Sequence, residues 1–212
     1  VELDAIVVTA RAARLYRADE VMVGRMPGDP LDTPLSVAVI TDELMRDQGA
    51  RDAKDLYRNI SGVSFFSYAG VTARGFRQEE IFYDGLRGDP YAGFSVPQLF
   101  NIERVEFLRG PAGMLYGPGA PGGLFNYVTK RPQREFDANV GVVVGDGARR
   151  GAQAELAGPI SDALAGRAGL FFEQRELPRF GADSDTRIAD GGLELDIGDG
   201  RIIGQVARYE QD

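Results

Sequence analysis

The feature that most constrains this fold is an alternation of apolar and polar residues along the C-terminal part of the chain. After Pro132, about five segments of about ten residues place an apolar or small residue at every second position. They cover residues 136–144, 151–156, 167–173, 190–197 and 203–210, and Val206 breaks the alternation in the last of them. A period of two puts successive side chains on opposite faces of a strand, so these segments predict an antiparallel sheet with one apolar face. Transmembrane β-barrels show this pattern, and a soluble β-sandwich would show a similar one.

The composition excludes several kinds of chemistry. The 212 residues include no Cys and no His, which rules out disulfides, thiolate nucleophiles, Ser-His-Asp triads and metal sites that depend on these residues. The formal net charge of −8 argues against a nucleic acid partner, because its phosphates carry the same sign. No apolar run approaches the roughly 20 residues of a membrane-spanning helix. The chain starts at Val1 without a signal-peptide pattern, so we expect a mature or trimmed N-terminus.

The part of the chain from Asp32 to Pro132 carries a mixed α/β pattern. Strands are predicted at 35–40, 63–66, 71–76, 102–108 and 124–129, and Asp84-Gly85 predicts a hairpin between residues 81–83 and Leu86. Short helices are predicted from Thr41 or Asp42 to Arg46 and from Asp52 to Arg58, followed by glycines at positions 49 and 62. Residues 110–123 are rich in Gly and Pro and predict a loop.

No set of residues with a catalytic arrangement stands out. GPGAPG at 117–122 formally matches the G-x-G-x-x-G nucleotide motif, but its prolines remove backbone donors and a β-run follows it where a helix is needed. Glu79 and Glu80 are neighbouring acids in a predicted loop, where solvent exposure is the simplest interpretation. We therefore expect neither an enzyme nor a resident cofactor or metal.

Two features indicate contacts with another segment or protein, and each has a simpler alternative. Residues 1–10, VELDAIVVTA, are either a frayed terminus or a detachable strand that offers its backbone to a partner. Arg74 and Arg109 each end or interrupt an apolar strand beside a glycine. A guanidinium buried there would need carboxylate partners, whereas an exposed one would need none.

Several motifs together resemble the plug of TonB-dependent outer-membrane receptors, in their ferric-siderophore branch. They are VTARGF at 71–76, YDGL at 83–86, IERVEFLRGP at 102–111, LYG at 115–117, PGGL at 121–124 and VTKRP at 128–132. A further segment resembles the TonB box of the family and favours the detachable-strand interpretation; it consists of Asp4, Ala5, Ile6, Val7, Val8, Thr9 and Ala10. The resemblance implies an α+β plug domain followed by antiparallel β-strands of an incomplete outer-membrane β-barrel. We expect an N-terminal extension at 1–30, the plug at 31–133 and roughly the first five barrel strands, truncated, at 134–212.

The resemblance also implies a function. Members of the family import a ferric siderophore into the periplasm of a Gram-negative bacterium, driven by TonB with ExbB and ExbD, and they are not enzymes. The implied partners are therefore TonB, a ferric siderophore and outer-membrane lipid, with no nucleic acid, and iron enters only as the transported chelate. The N-terminus would be periplasmic and the plug would lie inside the barrel. The alternatives are a receptor for another scarce nutrient, such as cobalamin, haem or a saccharide, or a soluble β-rich binding module.

The family pattern further implies site residues and a topology. Ligand contacts are expected at the plug apex, on Gln78, Arg87, Tyr91 and Phe94, although the two aromatic residues could instead pack under a barrel loop. Arg74 and Arg109 are expected to be the plug half of a buried charge cluster whose glutamates lie on barrel strands beyond residue 212. Residues 146–148 and 177–186 would be outer loops, and residues 161–166 and 198–200 inner turns.

Overall fold

The computed structural model describes residues 16–18, 20–22, 28–29, 31–32, 34–66, 70–78, 81–88, 98–119, 121–176 and 183–211. The chain divides into two compact units that meet in sequence between Thr129 and Lys130. Among the described residues, no helix is both long and apolar enough to cross a membrane.

The first unit combines two small sheets with short helices. Its elements are β1 (Val37–Thr41), α1 (Asp42–Asp47), α2 (Ala53–Tyr57), β2 (Val63–Phe65), β3 (Val71–Ala73), β4 (Phe76–Gln78), β5 (Ile81–Tyr83), β6 (Leu86–Arg87), β7 (Ile102–Arg109), α3 (Gly113–Tyr116) and β8 (Gly123–Thr129). The larger sheet has the order β1-β7-β8-β5-β6 and the smaller one β2-β3-β4. Pairing is antiparallel throughout the two sheets except between β5 and β8, which are parallel.

The predicted starts of both helices are confirmed by their caps. The Thr41 hydroxyl accepts from a backbone amide in the first turn of α1 at 3.4 Å, and an Asp52 carboxylate oxygen accepts from one in α2 at 2.9 Å. These contacts satisfy amides that have no partner within the helix. Gly49 and Gly62 then adopt φ values of +62° and +81°, which turn the chain after each helix.

The single strand predicted at 71–76 is wrong. Arg74 (φ +53°) and Gly75 (φ +85°) form a turn, so that β3 and β4 become two strands of a hairpin. Six residues are too few for periodicity to separate one strand from two short ones. The backbone N–H of Arg74 donates to the Gly62 carbonyl at 2.7 Å, which holds the turn against the loop that follows α2. In the predicted loop at 110–123, the structure adds the one-turn helix α3.

The hairpin predicted at Asp84-Gly85 is confirmed. Both residues have positive φ, +49° and +77°, as the tight hairpin turn between β5 and β6 requires. The Asp84 carboxylate accepts from the Thr129 backbone N–H at 2.9 Å and from its hydroxyl at 2.7 Å. The turn is therefore tied to the end of β8, where the first unit ends.

The core of the first unit lies between the larger sheet and the helices. Its most buried large side chains are Ile40, Leu56, Ile102, Phe107, Phe125 and Tyr127. The rings of Phe107 and Phe125 lie 4.6 Å apart between centroids, on neighbouring strands. Gly122 is needed where β8 begins, because a Cβ there would lie 2.1 Å from the carbonyl oxygen of Ala73. This close approach packs the smaller sheet against the larger one.

The second unit is a five-stranded antiparallel meander in the order β13-β12-β11-β10-β9. Its strands are β9 (Asp137–Gly145), β10 (Arg149–Pro159), β11 (Leu164–Glu176), β12 (Asp183–Ile197) and β13 (Gly200–Gln211). The five alternating segments are thus confirmed as strands. The predicted boundaries of two connections are wrong: 164–166 of the expected turn belong to β11, and 183–186 of the expected outer loop belong to β12. Strand pairing extends beyond the alternating residues, because it depends on backbone hydrogen bonds that side-chain pattern does not report.

The register divides the meander into an apolar face and a charged face. The apolar face carries exposed large side chains, namely Val140, Val142, Val144, Leu156, Leu170, Phe172, Leu193, Leu195, Ile197, Ile202 and Val206. The charged face carries Glu155, Arg167, Glu173, Asp190 and Glu194. In β13 the pairing of Val206 with Gly191 puts Val206 on the apolar face, and its apparent break in the alternation disappears. Ile203, Ala207 and Tyr209 consequently lie on the charged face.

Candidate functional site

The two arginines singled out in the sequence converge in the first unit. The Arg74 side chain lies beside Gly62 and Gly110: a Cβ on Gly62 would lie 3.4 Å from it, and one on Gly110 would lie 3.9 Å from its guanidinium. The Arg109 guanidinium reaches Ser61, next to Gly62, and Ser36, each at 3.5 Å. Both arginines therefore lie at the end of β7 opposite to the Thr129 end of the sheet.

The charge of this arginine pair is not balanced locally. Arg74 is exposed and Arg109 is half-buried, and among the described residues neither forms an ion pair. The Arg109 Nε is buried without a hydrogen-bond partner in the described part of the chain. Two neighbouring guanidinium groups repel each other and attract any carboxylate brought near them.

A buried acid that the sequence analysis missed lies in the middle of the larger sheet. Glu106 is completely buried, and one of its carboxylate oxygens accepts from Arg104 Nε at 2.9 Å and from the Met22 backbone N–H at 2.9 Å. Its other oxygen accepts from Asn126 Nδ2 at 3.1 Å, and the side-chain oxygen Oδ1 of Asn126 in turn accepts from the Gly85 N–H at 2.9 Å. We call these residues the Glu106 network. The sequence signal that could have identified Glu106 is its position between the apolar residues Val105 and Phe107. A charged side chain in a strand that is buried on both faces requires a partner.

The Glu106 network ties the N-terminal residues to the sheet. Val21 is 1% exposed and pairs with Gly28 through two backbone hydrogen bonds of 2.9 and 3.2 Å. Glu20 lies 4.0 Å from the Arg104 guanidinium. Because the Met22 amide donates to a fully buried carboxylate, detaching this segment would remove one of the donors that offset the cost of burying the Glu106 charge.

The expected ligand residues are only partly described. Tyr91, Phe94 and the expected TonB-box residues 4–10 lie outside the described residues. Gln78 ends β4 and is 9% exposed. The Arg87 guanidinium lies 5.3 Å from the centre of the Phe82 ring and donates to two backbone carbonyls, of Tyr116 at 3.1 Å and Pro118 at 2.9 Å. Arg87 therefore has a fixed position beside α3.

A buried tyrosine pair links α2 to β8. The hydroxyls of Tyr57 and Tyr127 lie 3.4 Å apart. Burial raises the pKa of Tyr57, and it raises the pKa of Tyr127 well above the ordinary value. Both groups are therefore neutral at physiological pH and act as hydrogen-bonding members of the core.

The charged face of the meander carries a chain of ion pairs that begins at the first residue of the second unit. Lys130 Nζ lies 2.7 Å from Glu155, whose carboxylate is 3.7 Å from Arg167, and Arg167 also pairs with Asp190. A few residues further on, Arg134 pairs with Asp196 at 2.6 Å. Glu155 of β10 and Asp196 of β12 thus hold the segment before β9 against the charged face. No group of acids suited to hold a metal ion occurs among the described residues.

Comparison with known families identifies most of the first unit. Residues 29–124 match the family model described as TonB-dependent Receptor Plug Domain. This chain carries a TonB-dependent receptor plug domain. The matched residues include β1 to β7 and the start of β8, and they contain Arg74, Arg109 and the Glu106 carboxylate. The family consists of transport receptors.

Similar curated proteins are siderophore receptors. The ferripyoverdine receptor of Pseudomonas aeruginosa is 27% identical over 194 residues, which cover 86% of this chain and 24% of that protein. The catecholate siderophore receptor Fiu of Escherichia coli K12 is 28% identical over 182 residues, which cover 81% of this chain and 23% of that protein. The chain therefore spans about a quarter of the length of these relatives.

Solved structures show the same architecture. The pyoverdine outer membrane receptor FpvA from Pseudomonas aeruginosa PAO1, bound to pyoverdine, aligns with a TM-score of 0.85 at 26% identity, over 92% of this chain and 30% of that one. The expected fold class is confirmed as a plug followed by antiparallel barrel strands, and the sheet β9–β13 is not closed within the described residues. The apolar face is thus the lipid-facing side of a barrel wall, and the charged face is the inner one.

Proposed function

We propose that the receptor containing this chain imports a ferric siderophore across the outer membrane of a Gram-negative bacterium. The observation that carries the proposal is the succession of a plug domain and strands with one apolar and one charged face. The similarity to siderophore receptors over most of the chain supports the choice of cargo. No bond is made or broken in such a process, and iron enters only inside the chelate.

The proposal assigns a separate role to each of three parts of the chain. Residues 1–30 form an extension, residues 31–133 the plug inside the barrel and residues 134–212 the first barrel strands. Residues 4–10 act as the TonB box on the periplasmic side: they add as a strand to TonB, which transmits work from ExbB and ExbD. The β-branched composition of this segment favours strand addition. The anchoring of Met22 on Glu106 supports a mechanical connection between the extension and the plug sheet.

The proposed ligand contacts are Gln78, Arg87, Tyr91 and Phe94. Arg87 would supply a cation and the two aromatic residues flat faces, which suit an anionic chelate with catechol or hydroxamate groups. The hydrogen bonds that fix Arg87 beside α3 support a preorganised position. Alanine at Arg87 and at Tyr91 should each weaken binding of the ferric chelate, measured on the purified full-length receptor.

Arg74 and Arg109 are proposed as the plug half of a buried charge cluster. The absence of an acidic partner for either arginine among the described residues supports a partner from the rest of the barrel. Glutamates on later strands would neutralise the pair and hold the plug in place.

The deciding experiment measures uptake of radioactive iron by cells that express the full-length receptor and lack their own siderophore receptors. A panel of ferric catecholate, hydroxamate and mixed chelates should include at least one that is imported and whose import stops when the proton gradient is collapsed. Labelled cobalamin, haem and a labelled oligosaccharide serve as competing cargoes. Energy-dependent import of one of these, without import of any iron chelate, would refute the proposed cargo.

A further inference from the structure

Residues 130–134, which we call the strap, run across the charged face of the meander. The Lys130 Nζ donates to both carboxylate oxygens of Glu155 on β10, at 2.7 and 3.0 Å. The Lys130 carbonyl accepts from the Gln205 side chain on β13 at 2.9 Å. Since β10 and β13 are three strand spacings apart in the sheet, and neighbouring strands lie about 4.8 Å from each other, the strap crosses the strands rather than following them.

Further contacts hold the rest of the strap. Pro132 is buried against β12. The Arg134 guanidinium donates to the backbone carbonyls of Asp162 and Ala163, at 3.2 and 3.3 Å, and pairs with Asp196 on β12 at 2.6 Å. The strap therefore lies at the end of the sheet that carries the connections from β10 to β11 and from β12 to β13, the side expected to face the periplasm.

The acidic residues of the charged face are concentrated at this same end. The structure describes every residue of the five strands, and an uncharged row crosses their middle, formed by Gly141, Gln153, Phe171, Ile188 and Tyr209. On the strap side of this row the strands carry five carboxylates and two guanidinium groups, those of Asp137, Glu155, Asp190, Glu194, Asp196, Arg167 and Arg201. On the other side they carry one carboxylate and two guanidinium groups, those of Glu173, Arg149 and Arg175. The turns on the strap side add Asp162 and Asp199.

The strap supplies two cations to this acidic end of the wall. Lys130 and Arg134 each pair with one of its carboxylates, and together they offset two negative charges. Arg131 and Glu135 carry opposite charges and leave this balance unchanged. The side chains of Lys130 and Glu155 are only 14% and 12% exposed, so salt screens their charges less than those of surface residues.

We propose that Lys130 and Arg134 are specificity-determining residues for the charge of the cargo: they offset the acidic end of the inner wall and thereby allow a negatively charged ferric chelate to leave the barrel. The proposal rests on the transport function proposed above. Carboxylates on the wall repel an anionic chelate, and the repulsion grows with the number of charges that the chelate carries. Each strap cation removes one unit of this repulsion, whereas the passage of an uncharged chelate does not depend on the charge of the strap.

The test compares the import of two radioactive iron chelates, a trianionic ferric tris-catecholate and an uncharged ferric trihydroxamate, by cells that express the full-length receptor. Arg134 is the residue to vary, because its side chain is 34% exposed and its replacement disturbs the fold less than that of Lys130. Arg134→Gln should lower the maximal import rate of the trianionic chelate about fivefold, as expected for one unit charge that acts on a triply charged ion at about 10 Å. Import of the uncharged chelate should not change. The affinity of the purified receptor for either chelate should also stay the same, because the strap lies at the expected exit of the barrel.

Two further variants separate the charge of Arg134 from its structural contacts. Arg134→Lys keeps the charge but loses the planar fork that reaches two carbonyls, and it should import the trianionic chelate at close to the unaltered rate. Arg134→Gln combined with Asp196→Asn removes a carboxylate together with the cation and should recover most of the lost rate, whereas a purely structural role predicts a further loss. Arg150→Gln is the matched control, since it removes a cation from the apolar face of β10 and should change the import of neither chelate.

Three results would overturn the proposal: equal slowing of both chelates by Arg134→Gln, an unchanged rate for the trianionic chelate in that variant, or import of the uncharged chelate alone by the unaltered receptor. If only the trianionic chelate is imported, the Arg134 variants decide by themselves. A receptor that imports neither these nor any other iron chelate would overturn the proposed transport function as well, which distinguishes the two failures.

Discussion

Replacing Glu106 with leucine should be among the most damaging single changes in the plug. Glu106 is fully buried, and its ion-pair partner Arg104 has a side chain only 10% exposed. Glu106→Leu would leave that guanidinium, the Met22 amide and the Asn126 amide without the acceptor that all three share. Removing one partner of a buried ion pair costs about 3–5 kcal/mol, and we expect a loss of that size in plug stability.

The structure offers a control on the same strand. Glu103 also contacts Arg104, at 2.6 Å, but its side chain is 44% exposed. An exposed pair contributes at most about 1 kcal/mol, because water and salt screen it. Glu103→Gln should therefore change stability little, although it removes an ion pair with the same arginine.

Plug stability can be read by urea titration of the full-length receptor, with limited proteolysis to report the fraction of unfolded plug. Hydrogen exchange adds a local readout, because the Met22 amide should exchange faster once its buried acceptor is gone. The double variant Arg104→Met with Glu106→Leu should be less destabilised than the sum of the two single changes, since it leaves no buried charge. If Glu106→Leu were no more destabilising than Glu103→Gln, the buried carboxylate would not hold this sheet together.

Four further outcomes are expected. Val7→Pro should abolish energised import and leave chelate binding intact, since proline deletes a backbone donor needed for strand addition; normal import would show that the segment is only a chain end. Alanine at Arg74 or Arg109 should increase permeation of large antibiotics, and unchanged permeation and plug extraction in both would make them ordinary surface residues. Gly122→Ala should destabilise the plug by about 3 kcal/mol in urea titration, because its Cβ has no room against β3. Burial raises the pKa of Tyr127 in the folded plug, so above about pH 10 a tyrosine ionises in the unfolded chain but Tyr127 stays neutral in the fold. The stability of the plug in urea titration should therefore fall as the pH rises above about 10, and Tyr127→Phe should reduce that fall.

The sequence predicted those parts of the fold that depend on neighbouring residues. The caps at Thr41 and Asp52 and the turn at Asp84-Gly85 each involve contacts within a few residues, which side-chain chemistry and backbone preference decide locally. The strands β9 to β13 were visible because one face of each is apolar. The turn at Arg74-Gly75 was missed, since a strand of three residues carries no readable period.

The candidate site was predictable only in part. The motifs around Arg74 and Arg109 marked both residues, but their convergence around Gly62 and Gly110 depends on the pairing of two separate sheets. Glu106 was not singled out, because its partners come from positions 22, 104 and 126 and only the fold brings them together. The roles of residues 4–10, Tyr91 and Phe94 stay predictions.

The amino-acid sequence by itself determined that a mixed α/β segment is followed by strands with one apolar and one polar face, and that Cys- or His-based chemistry is absent. These properties follow from composition and from patterns that repeat within a few residues. Only the tertiary structure decided which residues of each strand lie on the apolar face of the sheet. In β13 the pairing of Val206 with Gly191 puts Val206 on that face, and Ile203, Ala207 and Tyr209 on the charged face. It also decided that the Glu106 charge is buried rather than solvated. Register and burial depend on hydrogen bonds and packing between segments far apart in the chain, and a local pattern carries no information about those partners.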